Sequence, residues 1–262
     1  MNKIFSDFEA ELVGFAHQLT DVSGPIAQRW FRSAIDVELK SDDSPVTLAD
    51  REIEAMLRAM ISDRFPDHGI LGEEEAPVGL HSEFVWVIDP IDGTKSFISG
   101  MPTFGTLIGV MHNGVPCVGV IDMPALGERW VGAPSKGTHY NGEACRTRGT
   151  KRLASANIYS TSPDIFAGEN KESFERLSHG AAMRRFGGDC YAYALLASGW
   201  VDIVCEAGLQ PYDYLALVPI IERAGGVITD WGGRPLSASS DGRVIASATR
   251  DLHDEVLKTL GV

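Results

Sequence analysis

The stretch that most constrains the fold is an apolar run that ends in two acids and a hydroxyl. Residues 84–88 (FVWVI) are all large and apolar, a pattern typical of a buried strand. The chain continues as Asp89-Pro90-Ile91-Asp92-Gly93-Thr94. We expect Asp89-Pro90 to break the strand, because the residue before a proline is kept out of helical geometry. Asp89 and Asp92 are then predicted to leave the edge of the sheet together.

These two acids predict a cation site. Two carboxylates held close together repel each other unless a cation lies between them, and hard oxygen donors suit Mg²⁺ or Ca²⁺ better than zinc. Gly93-Thr94 is expected to open the next segment with free backbone N–H groups, which is how a helix start holds a phosphate. The alternative is an Asx turn with solvated acids, and this stretch alone leaves both open.

A second acid lies at a predicted helix start. Thr47-Leu48-Ala49-Asp50 has the pattern of a capping box, and it leads into an apolar helical face that ends before Pro66. Complementing the helix dipole is sufficient to explain Asp50. A functional role for Asp50 requires that it converge with the central turn.

Further acids follow short apolar segments. Glu73-Glu74-Glu75 comes after residues 69–72, and Glu206 comes after a predicted strand. Asp213 follows Pro211, and Asp189 follows two glycines, so both are also explained as caps at helix starts. A run of three acids is usually solvated. Singly, none of these acids establishes a site.

Composition and spacing exclude several classes of function. The chain has 262 residues, enough for one large domain or two closely packed halves. Its 23 basic and 36 acidic residues give a net charge of −13, which argues against nonspecific binding to nucleic acid or to anionic membranes. The four cysteines form no C-x-x-C pair, the seven histidines lack zinc-site spacing, and we find neither a secretory leader nor a membrane-spanning stretch. A reduced, cytoplasmic setting is expected.

The order of predicted elements indicates a layered α/β fold. An amphipathic helix is expected to begin at a capping box at Ser6, and residues 40–45 are expected to form a surface loop. A hairpin is predicted around His112-Asn113-Gly114, within a half rich in hairpins. From about Lys151, short strands alternate with helices, including one helix over 213–224 that Pro219 should kink or interrupt. We predict one catalytic unit with approximate halves 1–148 and 149–262.

Taken together, the motifs resemble a known family. Gly72-Glu73-Glu74, the run 86–94, Pro211-Tyr212-Asp213 and Ala224-Gly225-Gly226 occur in the order seen in the inositol monophosphatase family of Mg²⁺-dependent phosphatases. The resemblance spans nearly the whole chain. It implies an αβαβα sandwich of the inositol monophosphatase and fructose-1,6-bisphosphatase type, two or three Mg²⁺ ions in a cleft between the halves, and a homodimer.

The same resemblance implies roles for individual residues. Glu73, Asp89 and the Ile91 carbonyl match ligands of a first metal, and Asp89, Asp92 and Asp213 match those of a second. Glu73 with water would hold a third, weaker ion. Asp50 and Thr94, with Thr47 close by, match the group that positions the attacking water. The N–H groups of Gly93 and Thr94 would hold the phosphate. Tyr212 departs from the pattern, since many members have tryptophan there.

The predicted chemistry is hydrolysis of a phosphate monoester by a metal-activated water, without a covalent intermediate. A haloacid-dehalogenase phosphatase needs aspartates two residues apart, whereas Asp89 and Asp92 are three apart, and a P-loop is absent. A non-enzymatic metal-binding protein is least favoured, because every predicted ligand and Thr94 are present.

Residues 187–193 (GGDCYAY) with Glu206 and Tyr212-Asp213-Tyr214 resemble the histidinol-phosphatase branch of the family. Histidinol phosphate carries an ammonium and an imidazole, so Asp189 and Glu206 are predicted to pair with these cationic groups. Two alternatives stay open: Asp189 caps its helix, and Glu206 serves any substrate of the family. The alternative function is that of an inositol monophosphatase or a broad sugar or nucleotide phosphatase with the same site.

Overall fold

The computed structural model describes residues 3–33, 37–39 and 45–261, and its helices cover two large β-sheets. The helices are α1 (Lys3–Trp30), α2 (Leu48–Arg64), α3 (Thr94–Ser99), α4 (Gly168–Gly180), α5 (Asp189–Ala197), α6 (Pro211–Tyr214), α7 (Leu217–Arg223) and α8 (Arg250–Leu260). The strands are β1 (Val37–Leu39), β2 (Pro45–Thr47), β3 (Gly69–Gly72), β4 (Phe84–Asp92), β5 (Gly105–His112), β6 (Val115–Met123), β7 (Glu128–Ala133), β8 (Gly137–Tyr140), β9 (Glu143–Ala144), β10 (Asn157–Ser160), β11 (Met183–Phe186), β12 (Ile203–Glu206), β13 (Val227–Asp230) and β14 (Val244–Ser247).

The larger sheet has seven strands in the order β3-β4-β5-β6-β7-β8-β9. Only its β3–β4 pair is parallel. Strand β4 is buried from Phe84 to Ile91, and its side chains alternate between two cores. Val85 and Val87 pack in a core with residues of α5 and α7, whereas Trp86 and Ile88 pack in a core with α1 and α2. Helices therefore cover both faces of this sheet, as a near-continuous apolar strand requires.

The smaller sheet is mixed, with five strands in the order β11-β10-β12-β14-β13. One face shares the core of α5 and α7 through Val204 and Ala246. The other face packs Ile203 and Ile245 against residues of α4 and α8. The layers run from α1 and α2 through the large sheet, the α5–α7 layer and the small sheet to α4 and α8. The predicted αβαβα sandwich is confirmed.

Three glycines let the central helix layer approach the large sheet closely. Gly109, Gly119 and Gly132 are register partners across β5, β6 and β7. A Cβ on Gly119 would lie 1.9 Å from the Ala216 carbonyl oxygen, and one on Gly132 would lie 2.6 Å from Ile220 Cα. Backbone atoms of α7 and of the residue before it thus occupy the volume that side chains would need.

Several predicted elements need correction. Helix α1 begins at Lys3, earlier than the predicted start at Ser6. Strand β4 does not break at Asp89-Pro90 but continues to Asp92 through a bulge. The helix predicted over 213–224 is two helices, α6 and α7, so the interruption expected from Pro219 is confirmed, and Pro219 lies in the first turn of α7. Its missing N–H costs nothing there, because first-turn N–H groups have no partner within the helix.

The predicted hairpin is confirmed. The turn at His112-Asn113-Gly114 joins β5 to β6, and the four cysteines are free. Residues 40–44 of the predicted surface loop lie outside the described residues. Among the described residues, no helix is long and apolar enough to cross a membrane. The large sheet uses residues 69–144 and the small sheet 157–247, and the division into halves near residue 148 stays a prediction.

Candidate active site

A β-bulge places the two central acids on one face of the large sheet. Asp89 pairs with Leu107 and Asp92 pairs with Gly105, so three steps along β4 match two steps along β5. In a regular strand, residues three apart point to opposite faces. The extra residue in the bulge puts Asp89 and Asp92 on the same face. Their directly opposed partners, Leu107 and Gly105, are two apart and share a face, and opposed residues lie side by side. The proline that was expected to end the strand lies inside this bulge.

Asp213 joins this pair from the central helix layer. It lies on α6, where its Oδ2 accepts a hydrogen bond from the Gln210 backbone N–H at 2.7 Å. One carboxylate oxygen from each of Asp89, Asp92 and Asp213 lies within 4.8 Å of the other two. Asp89 Oδ1 is buried and has no hydrogen-bond partner in the described part of the chain.

Burial and mutual repulsion raise the pKa values of all three carboxyls. Burial, followed by the charges of Glu73, Asp92 and Asp213, holds the pKa of Asp89 well above its usual value. Burial and the nearby Asp92 do the same for the pKa of Asp213. Burial and the charge of Asp189 raise the pKa of Asp92 to about 7. A cluster that is costly to ionise alone is one that a divalent cation stabilises.

Glu73 and Asp50 extend the acidic cluster toward α2. After burial, the charge of Glu73 is the largest cause of the raised pKa of Asp89. Asp50 is buried, and its Oδ2 accepts hydrogen bonds from the Thr47 backbone N–H at 2.8 Å and from Thr47 Oγ1 at 2.5 Å. Burial, opposed by these bonds and reinforced by the Glu73 charge, raises the pKa of Asp50 to about 6. The capping box was predicted correctly, and it also orients Asp50, whose Oδ1 is buried without a partner among the described residues.

Gly93 and Thr94 follow the bulge directly. Gly93 has a φ of 82°, a left-handed conformation that suits glycine, and α3 begins at Thr94. The Thr94 hydroxyl donates to the Ile91 carbonyl oxygen at 3.1 Å. The structure thus brings Thr94 and the Ile91 carbonyl, both predicted site groups, into direct contact.

The sequence interpretation missed the residues that hold the Glu73 loop. Glu54 on α2 is fully buried, and its carboxylate accepts from the backbone N–H groups of Glu74 at 2.7 Å and Glu75 at 3.0 Å. Arg58, one helical turn later, donates to Glu54 Oε1 at 2.8 Å and to the Glu75 carbonyl. A buried acid and arginine at i and i+4 on a helix were a usable signal, but only the fold shows what they bind.

Asp189 does not cap its own helix. Gly188 is the N-cap of α5, and no side chain caps that end. Asp189 Oδ2 instead accepts from the Ser96 hydroxyl at 2.5 Å. A Cβ on Gly93 would lie 2.9 Å from Asp189 Cγ. Asp189 therefore packs directly against the Gly93 turn, and the next residue, Cys190, donates its backbone N–H to Asp92 Oδ2 at 2.6 Å.

Glu206 lies at the end of β12 with its side chain almost fully buried. Its Oε1 accepts from the Thr161 backbone N–H at 2.7 Å and from the Thr161 hydroxyl at 3.1 Å. Burial raises the pKa of Glu206 to about 8. Glu206 lines a small cavity together with Asp92, Asp189 and Asp213. The two predicted specificity residues thus share one cavity with two of the predicted metal ligands.

A protein-family model matches nearly the whole chain. The model of the inositol monophosphatase family matches residues 9–261. The chain belongs to the inositol monophosphatase family. It is therefore a phosphatase of a metal-dependent family, and the family resemblance inferred from the sequence is confirmed.

Individual members of the family are similar over nearly the whole chain. The chloroplastic bifunctional phosphatase IMPL2 of Arabidopsis thaliana is 45% identical, with 96% of this chain and 76% of that protein covered. A histidinol-phosphatase of Chlorobaculum parvum is 34% identical, with 94% of this chain and 95% of that protein covered. The solved structure of an inositol monophosphatase from Zymomonas mobilis is 41% identical, with a TM-score of 0.89 and coverage of 97% and 98%. Family members with different substrate names thus resemble this chain at similar levels.

Proposed function

We propose that this protein hydrolyses histidinol phosphate to histidinol and phosphate with Mg²⁺, as a step in histidine biosynthesis. The observation that carries the proposal is the cavity in which Asp189 and Glu206 adjoin Asp92 and Asp213. A phosphate held at the acidic cluster would place the rest of the ester beside two further carboxylates. That arrangement suits an alcohol with cationic groups.

The residues at the acidic cluster fit divalent metal ions. Two Mg²⁺ ions would be held by Glu73, Asp89, the Ile91 carbonyl, Asp92 and Asp213, since Mg²⁺ prefers such oxygen ligands. A third ion would be held by Glu73 and water. The orphaned Asp89 Oδ1 supports this fit, because a buried carboxylate oxygen without a donor is costly unless a cation binds it. Bound there, Mg²⁺ supplies Lewis-acid activation of a water and charge neutralisation on the phosphate.

The attacking water would be held by the chain itself. The Thr94 hydroxyl donates to Ile91, which leaves its oxygen as an acceptor for one proton of that water. Glu73 and Asp50 present further acceptors, and Thr47 fixes the Asp50 carboxylate in place through two hydrogen bonds. The water is thereby oriented for attack in line with the leaving alcohol, which is the main task of a phosphoryl-transfer site.

The phosphate would bind at the start of α3. First-turn N–H groups of a helix have no partner within the helix, and here they belong to the segment opened by Gly93 and Thr94. The left-handed φ of Gly93 and its contact with Asp189 fix the direction of these groups. The product phosphate and the alcohol then leave without any covalent enzyme intermediate.

A second candidate function is inositol monophosphatase or broad sugar and nucleotide phosphatase activity. The similarity to the inositol monophosphatase of Zymomonas mobilis favours it, and the residues proposed to hold metal and phosphate serve it equally well. It differs in what Asp189 and Glu206 would meet, because a neutral polyol needs only hydrogen bonds.

The test is phosphate release by this protein with Mg²⁺, comparing kcat/KM for histidinol phosphate and inositol 1-phosphate. We expect a preference of about a hundredfold for histidinol phosphate, or about 2.7 kcal/mol of differential transition-state binding. Equal or reversed values would reject histidinol phosphate as the preferred substrate and favour the second candidate.

A further inference from the structure

Tyr193 is a buried polar residue that the mechanism above does not use. It lies on α5, only 3% exposed, and its hydroxyl has no hydrogen-bond partner among the described residues. Buried tyrosine hydroxyls usually have a partner, since an unpaired one costs about 1–3 kcal/mol. Its hydroxyl therefore needs an explanation.

The second unpaired group in the same place is an oxygen of Glu206. Thr161 satisfies Glu206 Oε1 twice, whereas Oε2 is buried and has no partner in the described part of the chain. Tyr193 and Glu206 line the same cavity, and burial, followed by the charge of Glu206, raises the pKa of the Tyr193 hydroxyl. The two oxygens face one cavity and do not bond to each other, which leaves both available to a third group.

The size and charge of the cavity limit what that third group is. The cavity has a volume of about 20 Å³, room for one group of about the size of a water molecule. Its polar walls include Asp92, Asp189 and Asp213, and none of the lysines, arginines and histidines that the structure describes lines it. An ammonium fits these walls, with three N–H donors for surrounding acceptors, whereas an imidazole ring is too large.

We infer that the Tyr193 hydroxyl and Glu206 Oε2 together bind the ammonium group of an amino-alcohol phosphate, with both oxygens accepting hydrogen bonds from its N–H groups. This inference rests on the proposed function, in which the phosphate binds beside Asp92. It makes Tyr193 a specificity-determining residue and assigns the ammonium, not the imidazole, of histidinol phosphate to this cavity. In that substrate the ammonium is two carbons from the ester oxygen, as it is in 2-aminoethyl phosphate.

The test compares 2-aminoethyl phosphate with 2-hydroxyethyl phosphate, which differ only in the group that would enter the cavity. In the wild-type protein with Mg²⁺ we expect kcat/KM to be at least about tenfold higher for the amino ester, the scale of a hydrogen bond to a charged group. Tyr193→Phe should lower that ratio about tenfold. Tyr191→Phe is the matched control, because Tyr191 lies on the same helix, two positions earlier, and packs near Trp130 at 6.0 Å between ring centroids. It should leave the ratio unchanged.

Each outcome bears on the inference separately from the proposed function. A wild-type ratio near one overturns the inference without any variant. A Tyr193→Phe ratio equal to that of wild type also overturns it, because the cavity would then hold only a structural water. A reduced ratio in Tyr193→Phe supports the inference even if histidinol phosphate is a poor substrate. In that case only the identity of the amino alcohol in the proposed function fails.

Discussion

At the scale of single residues, the buried pair Glu54 and Arg58 acts on the site through the loop that carries Glu73. Glu54→Gln removes the charge that pairs with Arg58. It also replaces one carboxylate oxygen by an amide NH₂, which cannot accept a hydrogen bond from the backbone N–H groups of the Glu73 loop. Removing one partner of a buried ion pair costs about 3 kcal/mol of unfolding free energy. We expect this loss, together with a severalfold rise in the Mg²⁺ concentration that gives half-maximal activity, measured by denaturant unfolding and phosphate release.

Glu11→Gln is the matched control, since Glu11 pairs with Arg64 on the exposed surfaces of α1 and α2. Exposed pairs contribute little to stability, so this variant should resemble wild type in both assays. A Glu54→Gln protein with unchanged Mg²⁺ dependence would show that Glu54 does not position the Glu73 loop.

His253 predicts a pH dependence of stability away from the site. Its ring is buried between Thr229 and Ser247, and burial lowers its pKa to about 4 from 6.5. The unfolded chain binds the proton more readily than the folded protein does. The contribution of neutral His253 to the unfolding free energy is therefore complete above pH 6.5 and is lost as the pH falls toward 4. Between pH 6.5 and 5 the loss should approach about 2 kcal/mol, at about 1.4 kcal/mol per pH unit.

His253→Gln removes the titrating group and keeps a polar nitrogen at a similar place. The unfolding free energy of this variant should fall less steeply than that of wild type over the same pH range, as followed by chemical denaturation. Parallel slopes for the two proteins would mean that another group carries the dependence.

Residue-scale prediction from the sequence succeeded where the signal is local. Thr47 and Asp50 form the capping box that their spacing predicted, because both partners lie within one helical turn. Glu54 gave only the i, i+4 spacing with Arg58, since the backbone N–H groups that it binds are 20 or more positions away. Tyr193 gave no such signal, because Glu206, which shares its cavity, lies on a distant strand. Only the packed fold reveals such roles.

At the scale of elements, the close contact between the large sheet and α7 depends on the row of glycines. Gly119→Ala would place a methyl group 1.9 Å from the Ala216 carbonyl oxygen, and a rigid backbone on both sides cannot absorb it. Overpacking of this kind costs about 1–3 kcal/mol. Because α6 with Asp213 precedes α7 directly, we expect both a lower melting temperature and lower Mg²⁺-dependent activity.

The control for this substitution is Gly14→Ala. Gly14 lies in α1 with no atom within 4 Å of the added methyl group, and alanine favours a helix by up to about 1 kcal/mol over glycine. Its melting temperature should equal or exceed that of wild type. If Gly119→Ala were as stable and as active as Gly14→Ala, the glycine row would not fix the helix layer.

The type of most elements followed from periodicity, whereas their junctions did not. The turn residues of the β5–β6 hairpin are adjacent in sequence and were identified correctly. The bulge in β4 was not identified, because it arises from pairing with Leu107 and Gly105. A proline at that point of the sequence predicts the end of a strand instead. The break between α6 and α7 lies at residues 215–216, where the backbone dihedrals remain helical. Its local signal is Pro219, which cannot donate a hydrogen bond to the Leu215 carbonyl four residues earlier.

At the scale of the whole molecule, the layered architecture was predictable mainly through the family resemblance. The alternation of elements in the second half indicated an α/β fold, but it did not indicate two sheets enclosing a helix layer. The site needs both sheets, since Asp89 and Asp92 come from the large one, Glu206 from the small one, and Asp213 from the helices between. A homodimer and a cytoplasmic location stay predictions.

Mg²⁺-dependent phosphate release from histidinol phosphate by Asp92→Asn tests whether hydrolysis takes place at the acidic cluster. The amide keeps an oxygen for the Cys190 N–H but loses the charge that would hold Mg²⁺, so kcat/KM should fall at least about a hundredfold, or about 2.7 kcal/mol. Since the variant also relieves repulsion within the acidic cluster, its melting temperature without Mg²⁺ should match or exceed that of wild type, and added Mg²⁺ should raise it less.

Asp63→Asn on the exposed surface of α2 is the control and should behave as wild type. We expect the Asp92→Asn protein to be folded and inactive. A folded Asp92→Asn protein that releases phosphate at the wild-type rate would contradict it, because the reaction would then not take place at this acidic cluster.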